Sequence, residues 1–230
     1  MARFHVNEEG NFESRYGDIF RFPGGIVRLE PGQYSHRIGG NSWKFTDYST
    51  QDDPPTLILT LDLADPICHA IEWDQGKELP LCSHLVECHS VDPQFFQIDP
   101  KTRTIAVLEF TRALNQPRFP EFLVLPERFV SIYSMTDSDF PATEDLYWSI
   151  ADEFVGGSKF IRVLGRPYWL QGSQQVFCRC GKEMQPIACM GYANQRTPSP
   201  MEELLFFGEA AFYWFFCTNC SILGVITQST

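Results

Sequence analysis

The feature that most constrains the fold is an approximate internal repeat. Residues 76–79, GKEL, return 105 positions later as residues 181–184, GKEM. A strand-like run at 105–110, IAVLEF, maps at the same offset and without a gap onto 210–215, AAFYWF. Repeated segments of this kind indicate a duplicated structural unit. The sequence therefore predicts two related β units in one chain.

Short runs rich in β-branched and aromatic residues, bounded by Gly, Pro and Asp, predict strands. Residues 56–63, TLILTLDL, alternate apolar with polar positions, which favours a strand with one buried face. Residues 160–164 occupy the equivalent place in the second copy, and further extended runs lie at 81–86 and 186–190. The predicted fold class is α+β and β-rich, with internally duplicated antiparallel sheets related by a pseudo-two-fold axis and few short helices.

Helical patterns are sparse. The strongest spans residues 143–155, where Leu146, Ile150 and Phe154 recur at four-residue spacing and two glycines follow as a stop signal. A shorter helix is predicted to begin at Ser199, with proline in its first turn.

One compact unit with four segments follows from these patterns. Residues 1–55 are expected to be an irregular N-terminal segment packed on the core. Residues 56–115 form the first β repeat, and 116–159 form a connector that contains the helix. Residues 160–230 form the second β repeat, which carries paired cysteines.

The charge of the chain disfavours some classes of partner. Its formal net charge is −11, so its surface repels phosphate backbones and anionic lipids. Nucleic acid and membrane are therefore not expected as partners, whereas a basic protein is. No run approaches the roughly 18 apolar residues of a membrane helix, and the N-terminus turns acidic where a signal peptide would become apolar. We expect a cytoplasmic protein whose eight cysteines are reduced thiols or metal ligands.

Two close pairs of cysteines occur in the second copy, Cys178 with Cys180 and Cys217 with Cys220. Two such turns can supply the four thiolates of a structural Zn²⁺ site. The first pair is one residue shorter than the usual Cys-x-x-Cys knuckle, and four buried free thiols in a β core are the alternative. A redox pair is disfavoured, because redox pairs usually open a helix and Cys217 follows a strand-like run.

The first copy contains a different mixture of cysteine and histidine, namely Cys68-His69, Cys82-x-His84 and Cys88-His89. These residues are predicted to be core thiols and surface imidazoles rather than metal ligands. Cys82 and His84 resemble a thiol–imidazole pair, but no third group that would orient the imidazole is apparent. Metalloprotease, nucleophile-elbow and phosphate-loop motifs do not occur in the sequence. The protein is therefore not expected to be an enzyme.

An acidic segment without Lys or Arg extends over residues 137–158 and suggests a docking surface. Its candidate partner-binding residues are Asp137, Asp139, Glu144, Asp145, Tyr147, Trp148, Asp152 and Glu153. Carboxylates of this kind steer a basic partner, and aromatic side chains commonly act as anchors in interfaces. An ordinary solvated helix face is the alternative explanation.

Three motifs resemble a known superfamily, the bacterial YwqG-like proteins and the eukaryotic programmed-cell-death-protein-2-like proteins. They are PYWLQ at residues 167–171, CGKEM at 180–184, and the aromatic strand that ends at Cys217-x-x-Cys220. The resemblance covers residues 54–228 and is clearest from 160 to 220. It implies a β-rich duplicated fold and a binding or chaperone-like role. Eukaryotic members escort a ribosomal protein, and many bacterial members occur in toxin–immunity contexts. The short Cys178-x-Cys180 spacing and the lack of cysteine pairs in the first copy depart from the family pattern.

The sequence thus predicts a bacterial immunity protein of YwqG-like type that neutralises a basic toxin, such as a nuclease, by direct binding. A chaperone-like adaptor for a basic client, such as a ribosomal protein, is the alternative. An enzyme of unrecognised type is the third hypothesis.

Overall fold

The protein is represented by a computed structural model. The structure describes residues 5–9, 24–47, 55–84, 93–109, 124–136, 139, 154, 157, 159–165, 167–191 and 210–229. These residues form fifteen strands and one 3₁₀ turn, Pro66–Ala70. The strands are β1 (His5–Glu9), β2 (Gly25–Arg28), β3 (Arg37–Ile38), β4 (Lys44–Thr46), β5 (Thr56–Asp62), β6 (Glu78–Ser83), β7 (Gln94–Asp99), β8 (Thr104–Glu109), β9 (Arg128–Phe129), β10 (Ser131–Ser134), β11 (Ile161–Val163), β12 (Ser173–Phe177), β13 (Gln185–Met190), β14 (Ala210–Cys217) and β15 (Ile222–Ser229).

The strands form a nine-stranded sheet, a four-stranded sheet and a two-stranded ribbon. The large sheet has the order β10-β2-β11-β13-β14-β15-β7-β8-β4, the small sheet has the order β6-β5-β3-β9, and β1 pairs with β12. All of these pairings are antiparallel except that of β4 with β8. The prediction of a β-rich fold with antiparallel sheets is therefore confirmed.

Strand β14 is the middle strand of the nine-stranded sheet, and all eight of its side chains are buried. Phe212, Trp214 and Phe216 belong to the main core together with side chains of the four-stranded sheet. The odd positions of β14, including Tyr213, pack on the opposite face against Tyr168, Trp169 and Val176. A strand covered on both faces has no need of polar alternation, which explains the unbroken run AAFYWFFC.

Strand β5 differs from its sequence prediction. The alternation at residues 56–63 predicts one exposed face, yet residues 56–61 are all buried, including Thr56 and Thr60. The strand lies between β6 and β3 inside its sheet. Alternation identifies side chains that share a face, but it does not reveal that the polar face is covered as well.

The two copies of the proposed repeat share part of their pairing. β5 pairs with β6 in the first copy, and β11 pairs with β13 in the second, both in antiparallel fashion. The third matched strand differs, because β14 neighbours β13 whereas β8 neighbours β7 and β4 in the large sheet. The strand order does not show a duplication or a pseudo-two-fold axis, and both stay predictions.

The N-terminal segment is more ordered than expected. The described part of residues 1–55 contributes β1 to β4, and Val27, Ile38 and Trp43 belong to the main core. These strands are two to five residues long. Each forms by pairing with a strand that is distant in sequence, so no local sequence pattern predicts it.

The predicted helices at 143–155 and from Ser199 fall outside the described residues, apart from the single position Phe154. Among the described residues, no helix is long and apolar enough to cross a membrane.

A partly buried ion cluster links the two main sheets. Arg37 of β3 donates to both carboxylate oxygens of Glu78, at 2.9 and 3.0 Å. Arg103, in the turn between β7 and β8, donates to the same carboxylate at 2.6 Å. Burial alone would raise the pKa of Glu78, but the two guanidinium groups outweigh it and hold that pKa below its ordinary value.

Candidate metal centre

The first cysteine turn joins β12 to β13. The N–H of Gly181 donates to the carbonyl of Cys178 at 2.8 Å, and the N–H of Cys178 donates to the carbonyl of Lys182 at 2.9 Å. Gly181 has a φ of +84°, and a Cβ at this position would contact nothing within 4 Å. The turn therefore favours glycine because of the positive φ angle and not because a larger side chain would clash.

The second cysteine turn joins β14 to β15. Cys217 is the last residue of β14 and pairs with Ile222, the first residue of β15. The N–H of Cys220 donates to the carbonyl of Cys217 at 3.2 Å, and Ser221 has a φ of +53°. The Cys217-x-x-Cys220 spacing therefore forms a tight hairpin turn with both sulfurs on it.

Pairing of β13 with β14 brings the two turns together. Gln185 at the start of β13 lies opposite Phe216, one residue before Cys217. The sulfur atoms of all four cysteines lie within 4.8 Å of one another. The predicted ligand set of Cys178, Cys180, Cys217 and Cys220 therefore converges, and the short Cys178-x-Cys180 spacing does not prevent it.

The geometry fits a tetrahedral ion. The Sγ atoms of Cys180 and Cys217 lie 3.8 Å apart. Four sulfurs at about 2.3 Å from a zinc ion would lie roughly 3.8 Å from one another. The four cysteines can therefore hold a metal ion, and a soft all-thiolate set favours zinc. Four thiolates complete a tetrahedron and leave no position for a bound water.

The four thiols differ in how readily they ionise. Burial raises the pKa of Cys178 and Cys217. Cys180 is exposed, and a hydrogen bond from the N–H of Lys182 lowers its pKa to about 7. A bound cation favours the thiolate form at all four positions. The buried pair therefore gains the most from a metal, because the backbone hydrogen bonds from Cys180 to Cys178 and from Cys220 to Cys217 offset only part of the cost of a buried thiolate.

Residues outside the two turns hold this centre in place, and sequence analysis missed them. The side-chain amide of Gln97 donates to the carbonyls of Cys220 and Ser221, at 2.8 and 3.1 Å. Arg179 donates to Gln97 Oε1 at 3.3 Å, and the indole of Trp73 donates to Ser221 Oγ at 3.0 Å. The one local signal is Gln97 itself, a polar residue between Phe96 and Ile98.

An open cleft of about 720 Å³ adjoins the second cysteine turn. Its walls come from three parts of the chain: the loop with Asp74, the turn with Asp99 and Lys101, and the metal turn with Asn219 and Cys220. The cleft is therefore lined mainly by polar and charged side chains.

Of the eight predicted docking residues, the structure describes one, Asp139. Its side chain is buried, and its carboxylate accepts from Lys159 Nζ at 2.7 Å and from the N–H and hydroxyl of Thr136, both at 2.9 Å. These bonds engage Asp139 within the fold, and its role as a docking residue stays a prediction. The other seven candidates fall outside the described residues; they are Asp137, Glu144, Asp145, Tyr147, Trp148, Asp152 and Glu153.

The cysteines and histidines of the first copy that the structure describes do not converge as a metal site. Cys68 and Cys82 are buried, and burial raises the pKa of both thiols. His84, predicted as a surface imidazole, is buried and stacks on Phe96 with ring centroids 5.8 Å apart. Among the described residues, the two cysteine pairs of the second copy, Cys178 with Cys180 and Cys217 with Cys220, are the group that converges as a metal site. Cys88 and His89 fall outside these residues.

A buried histidine–aspartate pair also serves the fold. Nε2 of His36 lies 2.9 Å from the carboxylate of Asp65, and Nδ1 accepts the N–H of Asp62 at 3.0 Å. Both ring nitrogens are therefore occupied by structural hydrogen bonds.

No family model, curated protein or solved structure matches the chain.

Proposed function

We propose that this protein works by binding another protein, as an immunity protein that neutralises a basic toxin such as a nuclease. The observation that carries the proposal is the closed set of four thiolates. A complete thiolate tetrahedron stabilises structure and offers no site for a reacting water. The net charge of −11 supports a basic partner, because complementary charge accelerates association.

The metal in this proposal is structural zinc. Cys178, Cys180, Cys217 and Cys220 would hold it and so join the β12–β13 turn to the β14–β15 turn. Bound zinc supplies a cross-link between the two turns. Gln97 and Ser221 then orient the second turn through their hydrogen bonds.

The acidic segment 137–158 is proposed as a docking surface, in which the rim carboxylates steer the partner and Trp148 anchors it. Capture of the partner from an extract of the native cell, followed by binding kinetics, tests this. Reversing Glu144, Asp145, Asp152 and Glu153 to Lys should slow association and remove most of its salt dependence. Trp148→Ala should instead speed dissociation.

A matched control distinguishes the effect of where the reversed charges lie from the effect of the change in net charge. Reversing four other exposed glutamates changes the net charge by the same amount; they are Glu30, Glu72, Glu109 and Glu183. Folded variants with equal association rates in the two sets would contradict docking at the acidic segment. A captured toxin whose activity the protein does not inhibit would contradict the immunity role. Capture of a ribosomal protein would support the chaperone-like alternative instead.

We also propose YwqG-like membership, an internal duplication and a cytoplasmic location. The motifs at 167–171 and 180–184 support the first, and the equivalent pairings β5–β6 and β11–β13 support the second. The reduced state of buried Cys68, Cys82 and Cys189 is compatible with the third. Cell fractionation with antibody detection tests the location.

A further inference from the structure

The cleft beside the metal centre has a rigid floor. Ser221 Oγ accepts from Trp73 Nε1 at 3.0 Å and donates to Gln75 Oε1 at 3.1 Å. Gln97 holds the Cys220 and Ser221 carbonyls from the other side. Both central residues are engaged in the fold, so the floor is fixed before anything binds. Preorganised polar groups reduce the entropy cost of binding.

The rim of the cleft is acidic. It carries two carboxylates, Asp74 and Asp99, against one ammonium, Lys101. The carboxylate of Asp99 accepts the N–H of Lys101 at 2.9 Å, the N–H of Thr102 at 3.4 Å and the hydroxyl of Thr102 at 2.8 Å. Asp74 is exposed and makes none of the side-chain hydrogen bonds found in the described part of the chain. Its carboxylate is thus the acceptor most available to a ligand.

The metal centre adds to the negative charge. Four thiolates around one divalent ion leave a net charge of −2, and Cys220 is both a ligand of that centre and part of the cleft wall. A guanidinium group suits such a place, because its planar donors pair with carboxylates and amide oxygens while it is less strongly hydrated than an ammonium. The volume of about 720 Å³ is within the range of ligand pockets.

We propose that this cleft receives an arginine side chain of the partner protein, with Asp74 as its main carboxylate acceptor and the metal turn as one wall. This inference rests on the proposed binding function. It adds a second contact with the partner, formed by residues that the structure describes. It also gives the metal a role in binding, because Cys220 would be one of its ligands and is a residue of the cleft wall.

The first test needs no partner. The zinc-loaded, isotope-labelled full chain is titrated with the peptide acetyl-Gly-Arg-Gly-amide, and the control is the same peptide with citrulline, which has nearly the same shape without the charge. We expect saturable amide shifts at Gln75, Lys101 and Asn219 in the millimolar range with the arginine peptide, and about tenfold weaker binding of citrulline. Equal shifts with both peptides, shifts spread over the acidic surface or no saturable shift would overturn the proposal.

The second test uses Asp74→Asn, which keeps the shape of the side chain, and the matched variant Glu109→Gln, which neutralises an exposed carboxylate outside the cleft lining. Asp74→Asn should lower the affinity for the arginine peptide about tenfold and speed dissociation of the captured partner. Glu109→Gln should change neither the affinity nor the dissociation rate. Equal behaviour of the two variants would overturn the cleft as a docking site and leave the binding function standing. A failure to capture any partner counts against the proposed function instead, and the peptide titration still decides what the cleft binds.

Discussion

The sulfur atoms of Cys180 and Cys217 lie 3.8 Å apart, although 37 positions separate the two residues along the chain. This distance is roughly the edge of a zinc–thiolate tetrahedron. It arises because β13 pairs with β14, which places the turn before β13 beside the turn after β14. The metal site is therefore a product of strand pairing.

We expect purified protein to contain one zinc ion per chain and Cys217→Ser to lose it. The variant should also melt more than about 5 °C lower, because the ion stabilises the native state that it binds. Elemental analysis and thermal melting measure the two effects. Cys82→Ala is the control, because it removes a buried thiol outside the cluster. This variant should be less stable than the unmodified protein but should retain its full zinc content. Full zinc content in Cys217→Ser would contradict the assigned ligand set.

In the folded, metal-free protein, Cys180 should react first with iodoacetamide near pH 7. Its side chain is exposed and its pKa is lowered to about 7, whereas burial raises the pKa of Cys189 to about 11. Peptide mass spectrometry after short labelling times gives the order of modification. Zinc loading should protect Cys180, and labelling of Cys189 ahead of Cys180 would contradict the structure.

Tyr213→Phe should destabilise the fold by about 1–3 kcal/mol. The Tyr213 hydroxyl accepts the N–H of Leu170 at 3.0 Å and donates to the carbonyl of Tyr168 at 2.9 Å, so its removal leaves two backbone groups without that partner. Urea unfolding measures the change. Tyr133→Phe is the matched control, because the Tyr133 hydroxyl bonds an exposed glutamate and its loss should cost less than about 0.5 kcal/mol. Equal losses in both variants would contradict this role of Tyr213.

Glu78→Gln should destabilise the protein by about 2 kcal/mol at pH 7, because it removes the carboxylate shared by Arg37 and Arg103. The pKa of Glu78 is lowered from 4.5 in the folded state. Its contribution is therefore complete above pH 4.5 and is lost as the pH falls through the folded value. Urea unfolding of both proteins from pH 7 downward should show the difference shrinking below pH 4.5. A difference that is constant with pH would indicate lost packing rather than lost charge.

Local patterns in the sequence predicted several strands because side-chain chemistry acts over a few neighbouring residues. The runs at 56–63, 186–190 and 210–215 correspond to β5, β13 and β14. The same patterns missed β2 and β3, whose few residues form strands through partners distant in sequence. The surroundings of His84 were also missed, because burial depends on what packs above a side chain rather than on its neighbours.

The sequence by itself determined which residues can bind a soft metal, since cysteine type and close spacing are local properties. It also indicated a strand at residues 210–215, because aromatic residues are enriched in strands. Only the tertiary structure decided that both cysteine pairs share one site, that Gln97 and Ser221 support it, and that Asp74 faces a cleft beside it. These relationships depend on the order of strands in the sheets, and that order results from pairings between strands that are distant in sequence.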